Sequence, residues 1–198
     1  MLIIGITGPT GAGKSSVCEF IKSNYNAEII DADKVVRELQ DNKKSDYYLA
    51  IRKAFGGRIF ANNGFINRRA LASIIFVTEP EKKIVLDELT AMYVVPEIKR
   101  RAIEASKKDL DYIIVDAPTL IENNMQAMFD KIIVVTANKK DRLNRICKRD
   151  DISKDYGEAR LEAQQDDGFY EKYADFVILN EGKNLEDKVR TVFEEIGR

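Results

Sequence analysis

The chain has 198 residues, 44% of them hydrophobic and 33% charged. Lys plus Arg number 32 and Asp plus Glu 33, for a net charge of −1, so no surface for nucleic acid or an anionic membrane is expected. Histidine is absent, which excludes a Ser–His–Asp triad, a histidine base and any histidine-built zinc site.

The first predicted element is a strand over Leu2–Thr7. Its apolar run is far shorter than the ~20 residues that cross a bilayer, and no export signal is expected. Gly8-Pro9-Thr10-Gly11-Ala12-Gly13-Lys14-Ser15 follows, filling every fixed position of G-x-x-x-x-G-K-[ST] between a strand and a helix over 15–24. Glycines let successive backbone N–H groups turn inward as an anion nest, and the helix N-terminus adds positive charge. Lys14 is then expected at the β- and γ-phosphates of a nucleotide and the Ser15 hydroxyl at Mg²⁺.

A second strand is predicted over 28–33, ending Asp31-Ala32-Asp33. Residues two apart share a face while the chain is extended. Asp31 is expected to cap the next helix, and Asp33 to face a cleft and orient an acceptor hydroxyl. Residues 34–111 read as helices at about 34–41, 45–56, 67–77 and 80–107, with Pro96 kinking or splitting the last. They suggest a helical insert. Strands at Tyr112–Asp116 and Lys131–Thr136 come next. Asp116, closing an apolar run, is expected near Mg²⁺. Arg142, Arg145 and Arg149 share a helical face and are candidates to neutralise a transferring phosphoryl group. The polar stretch from Asp150 to Gly168 suits a mobile lid, and a fifth strand is predicted over 176–180. Nearly continuous apolar strands alternating with helices predict an α/β fold with a five-stranded parallel sheet. Cys18 and Cys147, lone and far apart, fit a reduced, cytoplasmic protein.

Asn138-Lys139-Lys140-Asp141 matches the guanine-reading N-K-x-D of GTPases. The Gly of D-x-x-G is replaced by Thr119, and Asn138 is read instead as a helix cap with Asp141 in the first turn.

With the phosphate loop, several segments resemble the dephospho-CoA kinase family. Residues 6–15, Ile30-Asp31-Ala32-Asp33 with Arg37-Glu38-Leu39, and Phe55-Gly56 carry the likeness, as do the segment from Gly64 through Arg68 to Leu71, and Phe76. So do Asp116-Ala117-Pro118-Thr119-Leu120-Ile121-Glu122, Arg145-x-x-x-Arg149-Asp150, Gln164 as the lid glutamine, and the closing run from Phe176 to Gly182. The resemblance implies one P-loop kinase unit over 1–198, with a core at about 1–33, 112–138 and 174–198. The helical, acceptor-binding insert spans about 34–111 and the helical lid about 139–173. It implies ATP as phosphoryl donor with Mg²⁺ held by Ser15 and Asp116, and dephospho-CoA as acceptor. Nucleotide contacts would come from Gly8, Gly11, Ala12, Gly13, Lys14, Ser15, Ser16 and Asn180. Asp33, Arg37, Arg68 and Glu122 would serve the acceptor, and Lys14, Asp33, Arg145 and Arg149 the transfer. The chain departs from the family pattern in lacking His-Pro after the insert's Leu-rich helix, in Asn67 where Asp is usual, and in Tyr170 at the lid lysine position. These departures keep a second reading open: a kinase of the same fold acting on another small acceptor, such as a nucleoside monophosphate. A GTPase-like switch is the third.

Overall fold

The computed structural model describes residues 1–197. Five parallel strands lie in the order β2-β3-β1-β4-β5: β1 Leu2–Thr7, β2 Ala27–Asp31, β3 Tyr112–Asp116, β4 Lys131–Thr136 and β5 Phe176–Leu179. The apolar runs of β1, β3 and β4 are buried on both faces. Ile4, Ile6, Ile113, Ile114, Ile133, Val134 and Val135 are fully enclosed, each contributing about 1.5–3 kcal/mol. Val17 and Ile21 of α1 (Lys14–Asn24) and Val189 and Phe193 of α9 (Leu185–Ile196) pack into the same core as Ile4, Ile114 and Ile178. Among the described residues no helix is long and apolar enough to cross a membrane.

The chain folds as two compact units, one of residues 1–30 with 104–198 and one of residues 31–103. Residues 104–111, expected in the insert, therefore belong to the first. The second is helical: α2 Ala32–Asp41, α3 Asp46–Phe55, α4 Arg68–Ser73 and most of α5 Lys82–Ala105. Its buried side chains include Tyr47, Tyr48, Ile51, Phe55, Ile59, Leu71 and Ile74. Side-chain caps start most of these helices. The Asp31 carboxylate accepts from Lys34 N, Ser45 from Tyr48 N, and Asn67 from Arg69 N and Ala70 N.

Three expectations change here. The second strand stops at Asp31, because that residue's carboxylate caps a helix beginning at Ala32; Asp33 sits in the first turn of α2 rather than on a strand end. The helix expected to run to residue 77 ends at Ser73 and continues as a π-helical turn, Ile74–Thr78, with Glu79 N donating to Ile74 O. Of the two outcomes expected at Pro96, a kink or a split, the split does not occur: α5 is one helix of 24 residues. Proline removes one helical hydrogen bond, but Val94, Ile98 and Ala102, four apart, form a buried stripe on both sides of it.

Over the range expected as a helical lid, about 139–173, the chain forms α6 Lys139–Asp150, α7 Lys154–Glu162 and α8 Asp167–Glu171. Leu161 of α7 packs on Leu143 and Ile146 of α6, which anchors a segment that reads as polar.

On α5, the hydrogen-bonded Arg100 and then Arg101 hold the Glu97 carboxyl at about 2, below its ordinary 4.5. A depressed folded value adds stability above the unfolded value and loses it as pH falls. The stability difference between the wild type and Glu97→Gln should be full above pH 4.5 and vanish as pH approaches 2. Urea titrations across that range check it.

Candidate active site

The phosphate loop joins β1 to α1. Unlike α2, α3, α4, α6, α7 and α8, helices α1 and α9 start with no side-chain cap; α9 has Glu186 and Asp187 in its first turn, whereas the N-cap of α1 is Gly13 in the left-handed region, φ 98°. No acidic residue lies in the first turn of α1. Its first N–H groups carry positive partial charge that an anion can satisfy.

Neighbouring groups fix the loop from outside. Gly11 has φ 77°, and a Cβ there would lie 2.7 Å from the Arg142 carbonyl oxygen. A Cβ on Gly13 would collide with Asn180 Nδ2. Glycine at these two places lets α6 and the loop after β5 close on the phosphate loop. Arg142 Nε donates to Thr10 O (3.1 Å). One Arg145 nitrogen donates to Gly11 O and Ala12 O, both at 3.1 Å, and the other to Asn180 O (3.2 Å). The buried Asn180 donates from Nδ2 to Ala12 O (2.8 Å). Gln164 accepts from Thr10 N (2.9 Å). Lys14 Nζ donates to Gly8 O (2.6 Å) and Pro9 O (3.4 Å), folding the ammonium back onto the start of the loop.

Asp116 ends β3, half-buried, paired in parallel register with Ile6, two residues before the loop. Ala117 N donates to Ile6 O (3.0 Å) and the Thr7 hydroxyl to Pro118 O (3.1 Å), so Asp116 is fixed to the same end of the sheet. Ser15 and Ser16, both exposed, lie in the first turn of α1.

The three arginines do not act as one face: Arg142 and Arg145 turn to the loop, while Arg149 forms a two-point ion pair with Asp150 (2.7 and 2.9 Å), which Arg160 also contacts. Arg149, then Arg160, hold the Asp150 carboxyl at about 2. Glu122 accepts from the buried Tyr170 hydroxyl (3.2 Å). Burial, then the charge of Glu122, pushes that phenol up, so it stays a donor. In the helical unit, Asp33 and Arg37 are exposed one turn apart on α2. Arg68 is paired with Asp41 (2.9 Å to both oxygens) and with Gln40 (3.3 Å). Asn138 accepts from Asp141 N (2.9 Å) and donates to its carboxylate (2.6 Å). The Asn-Lys-Lys-Asp segment is thus a helix cap, not a base-reading loop.

Arg142 and Asp167 are the residues whose place sequence reasoning undervalued. Arg142 Nη1 pairs with Asp167 Oδ1 of α8 (3.0 Å), and its side chain is only 8% exposed. The three-residue spacing of Arg142 and Arg145 was the available signal; that of Asp167 was not visible, because its partner lies 25 residues away.

The whole of residues 2–186 matches the family model described as dephospho-CoA kinase. The chain belongs to the dephospho-CoA kinase family. A dephospho-CoA kinase of Carboxydothermus hydrogenoformans is 32% identical over 195 residues, covering 98% of this chain and 93% of the relative. A Thermus thermophilus structure superposes with TM-score 0.78 at 28% identity, over 99% of this chain and 96% of the other. The dephospho-CoA kinase of Campylobacter jejuni gives TM-score 0.69 at 25% identity, over 98% and 96%. The protein is accordingly a kinase with the P-loop kinase core, and its family uses ATP as phosphoryl donor.

Gly11→Ala should weaken ADP binding by at least about tenfold, because the added carbon meets backbone and the positive φ is costly for alanine. Calorimetric titration with ADP checks this.

Proposed function

We propose that the protein transfers the γ-phosphoryl group of ATP to the ribose 3′-hydroxyl of dephospho-CoA, giving coenzyme A. The observation that carries the acceptor is the match to the family over residues 2–186. The observation that carries the donor is the uncapped start of α1 beside Lys14.

In this reading the N–H groups of Gly13, Lys14 and Ser15 and the Lys14 ammonium hold the β- and γ-phosphates. Asp33, exposed in the first turn of α2, accepts the 3′-hydroxyl proton as that oxygen bonds to the γ-phosphorus and the bond to the β-phosphate oxygen breaks. The transition state is loose, so placement and charge outweigh base strength. Arg37 serves the phosphates of the acceptor. Arg68, already held by Asp41 and Gln40, supports the helices that carry Asp33. Arg149 is the exposed cation that a closing lid would bring to the departing phosphate.

The donor set suits Mg²⁺. A hydroxyl, Ser15, and a carboxylate, Asp116, are hard oxygen ligands at one end of the sheet. Among the described residues no cluster of three or more acidic or cysteine side chains could hold a metal alone. That is the pattern of a cation completed by phosphate oxygens and water. When bound, Mg²⁺ supplies charge neutralisation at the β- and γ-oxygens.

Wild-type enzyme should consume ATP in a coupled assay only when dephospho-CoA is added, and a preference for a nucleoside monophosphate would contradict the acceptor. Asp33→Asn should lower kcat by about 100-fold or more, a general base's usual share, with ATP affinity kept; an unchanged kcat would remove Asp33 from the mechanism.

A further inference from the structure

The carbonyls of Thr10, Gly11 and Ala12 each accept from a side chain outside the loop: Arg142 for the first, Arg145 for the next two, Asn180 for the last. In a trans peptide the carbonyl of one residue and the N–H of the next point in opposite directions. Holding Ala12 O therefore aims the Gly13 N–H away from Arg145 and Asn180. Holding Thr10 O aims the Gly11 N–H away from α6. Ala12 N is used within the loop, donating to Pro9 O (3.3 Å).

Arg142 stands apart from Arg145. Its guanidinium is buried, with Nε on Thr10 O and Nη1 on Asp167 Oδ1. Burying a guanidinium costs several kcal/mol before pairing, and an apolar side chain of similar volume often packs as well or better. Packing α6 against the loop gives no reason for a charge there. Orienting a peptide plane does, because a charged donor holds a carbonyl more firmly than a neutral one.

We infer that Arg142 is a positioning residue for the phosphate cradle: it fixes the Thr10–Gly11 peptide plane and ties it, through Asp167, to helix α8. This rests on the reading of residues 8–15 as the phosphate site, and extends it to a residue that touches no phosphate. The lid helix α8 is thereby linked to the loop by Arg142–Asp167 and to the segment after β3 by Tyr170–Glu122. Displacing α8 would loosen the orientation of Gly11 N–H, so nucleotide affinity and lid position are coupled.

The test is ADP titration by calorimetry on the wild type, Arg142→Met, Arg142→Lys and Asp167→Ala. Because ADP binding needs no acceptor, the comparison stands whether or not dephospho-CoA is the substrate. Arg142→Met should raise Kd for ADP about tenfold, the shift expected when the freed peptide spends about a tenth of its time in the binding orientation. Arg142→Lys, which keeps the charge, should recover part of it. Asp167→Ala, at a half-exposed ion pair, should cost roughly threefold. KM for ATP should rise in step while kcat at saturating ATP stays within roughly threefold, the split expected for lost ground-state binding. A merely structural role would lower the melting temperature and the fraction of binding-competent protein while leaving Kd unchanged. That result would overturn the inference. Should Arg142→Met fail to fold, Arg142→Lys and Asp167→Ala decide it: unchanged Kd in both is the overturning result.

Discussion

Helix α1 begins at a glycine with nothing on its own chain to cap it. Six other helices spend a Ser, Asn or Asp side chain on that task. At α1 the backbone N–H groups are left for an anion, and their helical alignment makes the position positive without a net positive chain. The rest of the first unit serves this arrangement. The sheet places the loop at the ends of β1 and β3, where Asp116 is fixed in register. Helix α6 and the loop after β5 press on the loop's outer side, at distances that only glycines at 11 and 13 allow. The positive potential at the loop thus comes from aligned backbone groups and Lys14 rather than from a net positive chain.

Much of this is legible in the chain. The runs Leu2–Thr7, Tyr112–Asp116 and Lys131–Thr136 coincide with β1, β3 and β4, because strands buried on both faces are apolar at nearly every position. The phosphate loop is legible because its glycines are demanded by φ and space. Where a local side chain competes with periodicity the reading fails: the cap made by Asp31 ends β2 early and moves Asp33 into a helix. The π turn at Ile74–Thr78 is invisible because its apolar residues fit an α-helix equally well. Helix α5 continues through Pro96, where burial of Val94 and Ile98 on either side offsets a local cost.

The site residues show the same division. Residue type and spacing single out Lys14, Ser15 and Asp116, whose proposed roles depend on local backbone and strand ends. They do not separate Arg142 and Arg145 from Arg149, because the partners that divide them, Thr10, Asp167 and Asp150, lie in three different segments. Two departures from the family pattern have plain local answers. Asn67 caps α4 through its side-chain oxygen, a task Asp would perform in the same way. Tyr170, where a lysine is usual, keeps a hydrogen bond to Glu122 as a neutral group.

The central claim, that backbone amides at residues 8–15 cradle the tail of a triphosphate, is tested most directly by a crystal structure with Mg²⁺ and a non-hydrolysable ATP analogue. The β-phosphate oxygens should lie within hydrogen-bond distance of the Gly13, Lys14 and Ser15 amides, with Lys14 turned from Gly8 O to the phosphates. An analogue bound elsewhere, with Lys14 still on Gly8 O, would contradict the claim and every assignment built on it.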